Sequence, residues 1–534
     1  KYDLYRKWEG VRVMVPRTLV VTTDYFDRFI IENGLQYVIN SDITDSEILS
    51  EFVASSLPSD LIDDLKVFIH NIHKPIAVRS SSKLEDSYYQ PFAGVYSTYM
   101  IPRTENEDQM LRLLSKAIKS VYASVYFSAS RSYITATANV ISEEKMAIIL
   151  QEVCGSRDGD YYFPTFSGVA RSVNFYPIGH EKAEDGIAKL AFGLGKAVVD
   201  GEQVLRFSPK YPKHVLQTST PDLVMKETQK HMFALNLQPD KFKTSVDDSV
   251  NFDRIPISSC TGFRNFRHVV STWDNENMRM VDSPIPDGPK FVTFAQILKY
   301  RTLPLAEIVT ELLRIARDEM KCGVEIEFAA NMDRGDDRPS VFNVLQIRPI
   351  SVDSRNADVN WDEVDTDNAL VYSENALGTG WITGVYDIVY LRRDNFDTSR
   401  TVQMASELAA INEKMRNEKR NYVLIGYGRW GSSIPSLGVP VQWSDISEAK
   451  AIVECSLPDY RVEPSQGTHF FQNLTSFNAG YINVDPFSNP SDLFDYEKLE
   501  SLPVVSESVL LRHVRASEEL KICIDGRTGR ALVK

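Results

Sequence analysis

The sequence is poor in the features that mark membrane, secreted or nucleic-acid-binding chains. It has 5 cysteines among 534 residues, at Cys154, Cys260, Cys322, Cys455 and Cys523. None stands in a Cys-x-x-Cys pair and their number is odd. The pattern therefore offers neither a disulfide framework nor a structural zinc site, and it fits a reducing cytoplasm. No apolar run is long enough to span a bilayer and no signal peptide is visible, so no membrane partner is expected. Positive charge is short: 59 Lys and Arg face 73 Asp and Glu, for a net charge of -14. Phosphate backbones need a basic surface, which excludes general nucleic-acid binding but leaves room for a local basic pocket. There is no internal repeat and no low-complexity tract. The chain opens on Lys1, without a methionine, inside what reads as a helix, and is expected to be part of something longer.

What is present is a globular composition, 43% hydrophobic and 25% charged, on a chain long enough for about two to four domains. Residues 1–30 read as a helix, a strand over Thr18–Thr23 and a second helix capped by Thr23 or Asp24. Residues 46–72 read as mostly helical. Met110, Leu114, Ala117, Ile118, Val121 and Val125 recur at helical spacing and predict an amphipathic helix over 107–128. Strands are expected at 75–79, 147–153 and 168–173, and a helix at 305–320. The stretch 215–290 shows few clear periods and reads as irregular. Two strands near 325–329 and 342–347 flank the turn Asp333–Asp337, as in a hairpin. Residues 351–367 are polar and acidic and read as a linker. Residues 368–534 read as a second α/β unit closed by a small hairpin at Asp525-Gly526.

The run Ala77-Val78-Arg79-Ser80-Ser81-Ser82-Lys83-Leu84-Glu85-Asp86 leads the chemistry, with Phe92-Ala93-Gly94-Val95 after it. An apolar strand ends in one guanidinium and three hydroxyls, followed by a glycine-bearing turn at Gly94. A polyphosphate needs such a set: close backbone N–H donors and a fork that binds two oxygens at once. Taken alone, the serines are more simply those of a turn that caps the next helix. Ile149-Leu150-Gln151-Glu152-Val153 is a strand whose end could read a base edge, or an ordinary buried strand. Alternation places Glu325 and Glu327 on one strand face, and Gln346 and Arg348 on one face of the next. Paired, these strands bring a carboxylate, an amide oxygen and a guanidinium together, or form a cross-strand salt bridge on a solvated face. Magnesium takes oxygen ligands alongside substrate phosphates, and an arginine there neutralises charge on a transferred phosphoryl group.

In order along the chain, these segments resemble the pyruvate phosphate dikinase and phosphoenolpyruvate synthase family. Ser167-Gly168-Val169-Ala170 is similar to its Ser-Gly-Val-x-Phe-Thr strand, with Arg171-Ser172 in place of Phe-Thr. Phe192-Gly193-Leu194-Gly195-Lys196-Ala197-Val198-Val199-Asp200-Gly201 is similar to its Tyr-Gly-Leu-Gly-Glu-x-Val-Val-x-Gly run. Glu325-Ile326-Glu327 and Gln346-Ile347-Arg348 resemble its Ile-Glu-Phe and Leu-Gln-x-Arg signature. The resemblance covers about residues 1–350. It implies an α/β (α+β) chain with an ATP-grasp domain over 1–350 and a smaller α/β domain over 368–534. It implies ATP and Mg2+ as cofactors. Arg79, Ser80, Ser81, Gly94 and Gly168 would lie near the nucleotide, with Gln151, Glu152 and Val153 at the adenine. Glu327 and Gln346 would hold metal, with Glu325 a weaker candidate, and Arg79 and Arg348 would serve catalysis. The family's Gly-Gly-Lys loop is missing, and Lys1 stands without the glycines.

Fewer than 200 residues follow position 350, too few for the family's pyruvate-binding barrel. Ala376–Gly384 loosely resembles the glycine-rich opening of the family's swivelling phosphohistidine domain. Gly467-Thr468-His469 offers a histidine as phosphoryl carrier, but Phe470-Phe471 replaces the family's alanines, and a structural histidine is the plainer reading. Gly426–Ser433 is an anion-binding loop or a tight turn with Trp430 in a core. His70 and His73 fit a helix better than a metal site. The expected function is phosphate transfer from Mg-ATP to a histidine and on to an acceptor such as pyruvate. The remaining phosphohistidine and pyruvate-binding domains would lie in cis beyond this chain or in trans. The alternative is a nucleotide-binding regulatory or scaffold protein that keeps the fold and lacks complete catalysis.

Overall fold

The computed structural model describes the chain except residues 1–2, 42, 86–93, 137–143, 176, 286, 333–337, 351–360, 362–363, 365, 367, 433, 466–469, 471–478 and 527. Lys1, Asp86, the turn 333–337, most of the expected linker and the His469 segment therefore lie outside the described residues. Those up to Ile350 form one compact unit and those after it form a second.

The first unit is built on two principal sheets. The smaller has four strands in the order Thr18–Val21, Met146–Glu152, Ile76–Ser82, Tyr99–Ile101. Its helices form for legible reasons. Asp45–Ala54 starts with a capping box in which Thr44 and Glu47 satisfy each other's backbone donors. Glu107–Ser124 is capped by Asn106 and buries Met110, Leu114, Ala117, Ile118 and Val121, the face its spacing predicts. The larger sheet has six strands in the order Val11–Met14, Ser340–Pro349, Val324–Asn331, Phe166–Arg171, Ile187–Ala191, Leu205–Phe207. Helix Leu305–Met320 buries Leu305, Ile308, Val309, Leu312 and Leu313.

Two expectations for this unit need correction. Residues 11–14 are not helical: Val11 to Met14 form a strand parallel to Ser340–Asn343, introduced by Gly10 with φ +70. Helix Thr23–Glu32 has Thr22 at its N-cap position, one residue earlier than expected, and that side chain makes no capping bond. The region 215–290 is not irregular. It contains the antiparallel pair His231–Asn236 and Phe252–Pro256, and the set Arg279–Val281, Val270–Asp274, Lys290–Val292. Strands this short carry too few alternations to register as a period.

The second unit has a seven-stranded sheet ordered Ala376–Leu377, Gly480–Val484, Ala449–Cys455, Asn421–Tyr427, Val385–Leu391, Leu511–Arg515, Val504–Glu507. Its four inner strands from Gly480–Val484 to Val385–Leu391 run parallel. Helix Thr401–Asn417 connects the first two of these along the chain. The expected closing hairpin is present as Ile522–Asp525 against Arg530–Val533. The whole chain mixes helices and sheets, as an α/β (α+β) protein. Among the described residues no helix is long and apolar enough to cross a membrane.

Candidate nucleotide and metal site

Strand Val324–Asn331 pairs antiparallel with Ser340–Pro349, so that Glu325 stands opposite Arg348 and Glu327 opposite Gln346. The register then slips: Phe328 pairs with Val344, and Leu345 is the extra residue of a bulge. A bulge bends its strand and re-aims the neighbouring side chains. Gln346 and Arg348 lie immediately beyond it.

Arg79 reaches this pair from the other sheet. Its Nη2 donates to Glu327 Oε2 at 3.0 Å and to Gln346 Oε1 at 2.5 Å. Arg348 Nη2 donates to Glu327 Oε1 at 2.7 Å and to Gln346 Oε1 at 2.8 Å. Two guanidinium groups from separate sheets thus converge on one carboxylate and one amide oxygen. The group is neither open nor sealed, with Arg79, Glu327 and Arg348 side chains 20%, 16% and 11% exposed. Gln151 joins the same seam. Strand pairing puts it beside Ala77, on the face that carries Arg79, and its Nε2 donates to the Leu345 carbonyl at 3.4 Å.

The other expected site residues fall in different places. Ser81 shares the less buried side of its strand with Arg79, whereas Ser80 is buried on the opposite side. Gly94 is exposed, with φ +69. Glu152 points away from Gln151 and pairs with Lys74 at 3.2 Å. Val153 donates its N–H to Pro75 and accepts from the Tyr162 hydroxyl, so both of its backbone groups have protein partners. Gly168 faces the apolar side. A Cβ there would lie 2.4 Å from the Phe328 ring and 2.6 Å from the Lys189 carbonyl, so packing within the sheet explains this glycine. Gly193, with φ +88, is required by the close approach of the Phe233 carbonyl at 2.7 Å from where a Cβ would sit. Glu325 lies beside the cluster rather than in it: Arg171 Nε donates to its Oε2 at 2.6 Å. Ser172 Oγ accepts the Val324 N–H at 2.9 Å. The two residues that depart from the family pattern are thus both bonded to strand Val324–Asn331. Neither contact was expected from the sequence. Arg171 two residues past Gly-Val, with an acid on a neighbouring strand, is the signal that would have found the first.

In the second unit, Trp430 is buried with its indole N–H on the Val453 carbonyl. Its ring lies where a Gly426 side chain would be, which is the tight-turn reading of that loop. His70 is exposed and contacts Glu107 at 3.2 Å. His73 lies beyond the end of helix Ser59–Asn71. Among the described residues no group of three or more His, Cys, Asp or Glu could hold a metal ion.

The donor set at Glu327 and Gln346 nonetheless fits a hard cation. A carboxylate and an amide oxygen already share two positively charged groups, and magnesium completes its sphere with phosphate oxygens and water rather than with a full protein cage.

Residues 3–368 match the family described as pyruvate phosphate dikinase, AMP/ATP-binding domain. Over 190 residues the chain is 31% identical to the uncharacterized phosphotransferase YvkC of Bacillus subtilis, covering 35% of this chain and 20% of that protein. Over 212 residues it is 26% identical to the phosphoenolpyruvate synthase of Aeropyrum pernix, covering 36% of this chain and 24% of that protein. The chain therefore matches about a fifth to a quarter of the length of these relatives. With most of its length matched and its charged residues gathered between two sheets, the chain belongs to the pyruvate phosphate dikinase AMP/ATP-binding domain family.

Proposed function

We propose that this chain is an Mg-ATP-dependent phosphotransferase module of the dikinase type. In this reading residues 1–350 are an ATP-grasp domain joined by 351–367 to a smaller domain over 368–534, working in the cytoplasm. The single observation that carries it is the meeting of Arg79 with Glu327, Gln346 and Arg348. Two guanidiniums beside an acid–amide pair supply what phosphoryl transfer asks of a protein, positioning and charge stabilisation. When ATP enters, Arg79 and Arg348 exchange their present bonds to Glu327 and Gln346 for phosphate oxygens. The Glu327 carboxylate and the Gln346 amide oxygen so released would hold Mg2+, which would neutralise phosphate charge. Arg79 keeps the nucleotide in place from one sheet, and Arg348 faces the transferred group from the other. Ser81 and Gln151, on the Arg79 face, line the same seam. The acceptor is a histidine, with His469 the candidate in cis, and the final acceptor is a small acid such as pyruvate bound by a further domain.

The Arg171–Glu325 pair supports a second reading, a regulatory ATP-binding protein with incomplete machinery, because it engages one of the acids that the family resemblance brings to the site. Incubation of the whole chain with ATP labelled at the β or the γ position separates the two. Acid-labile, base-stable label on the protein, lost in His469→Asn, is the expected result. Saturable ATP binding with no label, even when a phosphohistidine domain of the family is added, would favour regulation.

A further inference from the structure

Glu325 and Glu327 are two residues apart on one face of one strand, yet their shortest ion pairs differ: Arg171 for Glu325, Arg348 and Arg79 for Glu327. Glu327 lies at the seam between the sheets, within reach of a ligand. Glu325 is enclosed in its own sheet, its side chain 3% exposed against Arg171 at 5%. Strand register sets Arg171 directly across from Glu325 on one side and Arg348 on the other. Arg171 Nε is 2.6 Å from Glu325 Oε2, and Arg348 Nε is 4.0 Å from Oε1. The carboxylate is therefore flanked by guanidiniums on both neighbouring strands. A divalent cation could take it only by displacing Arg171, which would leave a buried guanidinium without its counter-charge, a strongly unfavourable state. The seam imposes no such obstacle on Glu327, because the guanidiniums there have incoming phosphate as a new partner.

We propose that Arg171 is a positioning residue that withdraws Glu325 from metal coordination, so that this site binds one divalent cation with its nucleotide, through Glu327 and Gln346. The inference rests on the nucleotide reading above. A phenylalanine, which the family pattern has at this place, carries no charge to hold Glu325. The number of ions per site is thus set by a residue that touches neither metal nor nucleotide.

The test counts Mn2+ bound to the whole chain in the presence of a non-hydrolysable ATP analogue, by electron paramagnetic resonance, with analogue binding followed separately by calorimetry. One ion per wild-type chain is expected. Glu325→Gln should stay within about threefold of the wild-type affinity, whereas Glu327→Gln should lose more than about tenfold. Arg171→Met should bind a second ion and Arg171→Lys, which keeps the charge, should return the count to one. Two ions on the wild-type chain, or a tenfold loss in Glu325→Gln, would overturn the inference. So would a folded Arg171→Met chain that still binds one. Should Arg171→Met fail to fold, the wild-type count and the Glu325→Gln affinity decide the matter. Absence of saturable analogue binding overturns the nucleotide reading and this inference with it. Nucleotide binding with two ions overturns the inference alone.

Discussion

Glu327 in the first unit and Asp387 in the second are both carboxylates bound by arginines, but they are assembled differently. The partners of Glu327 come from two sheets, Arg79 from one and Arg348 from the other. The partners of Asp387 all come from its own sheet. His513 Nε2 lies 2.7 Å away and Arg515 Nε donates at 2.8 Å, both from the strand on one side. Arg420 donates through Nε at 2.9 Å and Nη2 at 2.7 Å, from just before the strand on the other side. Asp387 and His513 have no exposed side-chain surface. An ionic group that bridges two sheets opens when a ligand replaces one partner. One held within a single sheet opens only if strands separate. The first arrangement suits binding and the second suits stability, although the residue types are nearly the same.

That contrast breaks most visibly at Asp387. Burial disfavours its charge, but hydrogen bonds from His513, Arg515 and Arg420 outweigh burial and hold the carboxyl down to about 2. A carboxyl lowered on folding stabilises above its ordinary value near ~4 and loses that contribution as pH falls toward the shifted one. Asp387→Ala is expected to cost about 3 kcal/mol, because the buried His513 ring loses its hydrogen-bond partner, while Arg420 and Arg515, about a third exposed, can turn to water. Thermal unfolding across the acid range should show the loss and a flatter pH response, with ATP binding by the first unit unchanged.

At the seam, Arg79→Met should leave the melting temperature near that of the wild type and cut phosphoryl transfer by about 10²–10³-fold, the usual loss when one preorganised donor is removed. Single-turnover label transfer measures it, and a large stability loss instead would place Arg79 with Asp387 in the structural class. Gly168→Ala comes next. Its Cβ would press on the Phe328 ring and the Lys189 carbonyl, an overpacking expected to cost about 1–3 kcal/mol in denaturant unfolding. Weakened nucleotide affinity without lost stability would return this glycine to the binding site.

The smallest effect is expected at Glu454, buried in the second unit. Burial raises its carboxyl above the ordinary range, against hydrogen bonds from Ser465, Tyr481 and the Trp430 backbone. These donors, unlike the arginines on Asp387, are neutral. A raised carboxyl contributes its stability below the ordinary value and loses it as pH rises through the ordinary value toward the shifted one. Glu454→Gln should therefore change stability by no more than about 1 kcal/mol and remove the decline within that window. The melting temperature followed from acid to neutral pH checks the sign.

Much of this site was legible before the fold. Period-two alternation put Glu325 with Glu327 and Gln346 with Arg348, and the register pairs these strands. The guanidinium at the end of an apolar strand marked Arg79. Other features depended on distance in space. The bulge at Leu345 and its bond from Gln151 leave no composition signal. The strand Val11–Met14 reads as part of an opening helix because its partner lies more than 300 residues away. Arg171 stood out as a departure, but its meaning came from Glu325 across the strand pair.

Residue types and their spacing alone determined which groups exist on which strand face, since a strand turns each second side chain the same way. The tertiary structure alone decided which of two neighbouring acids faces the seam and which is enclosed. The physical reason is that side-chain direction is local, whereas the partner that compensates a buried charge must come from another part of the chain.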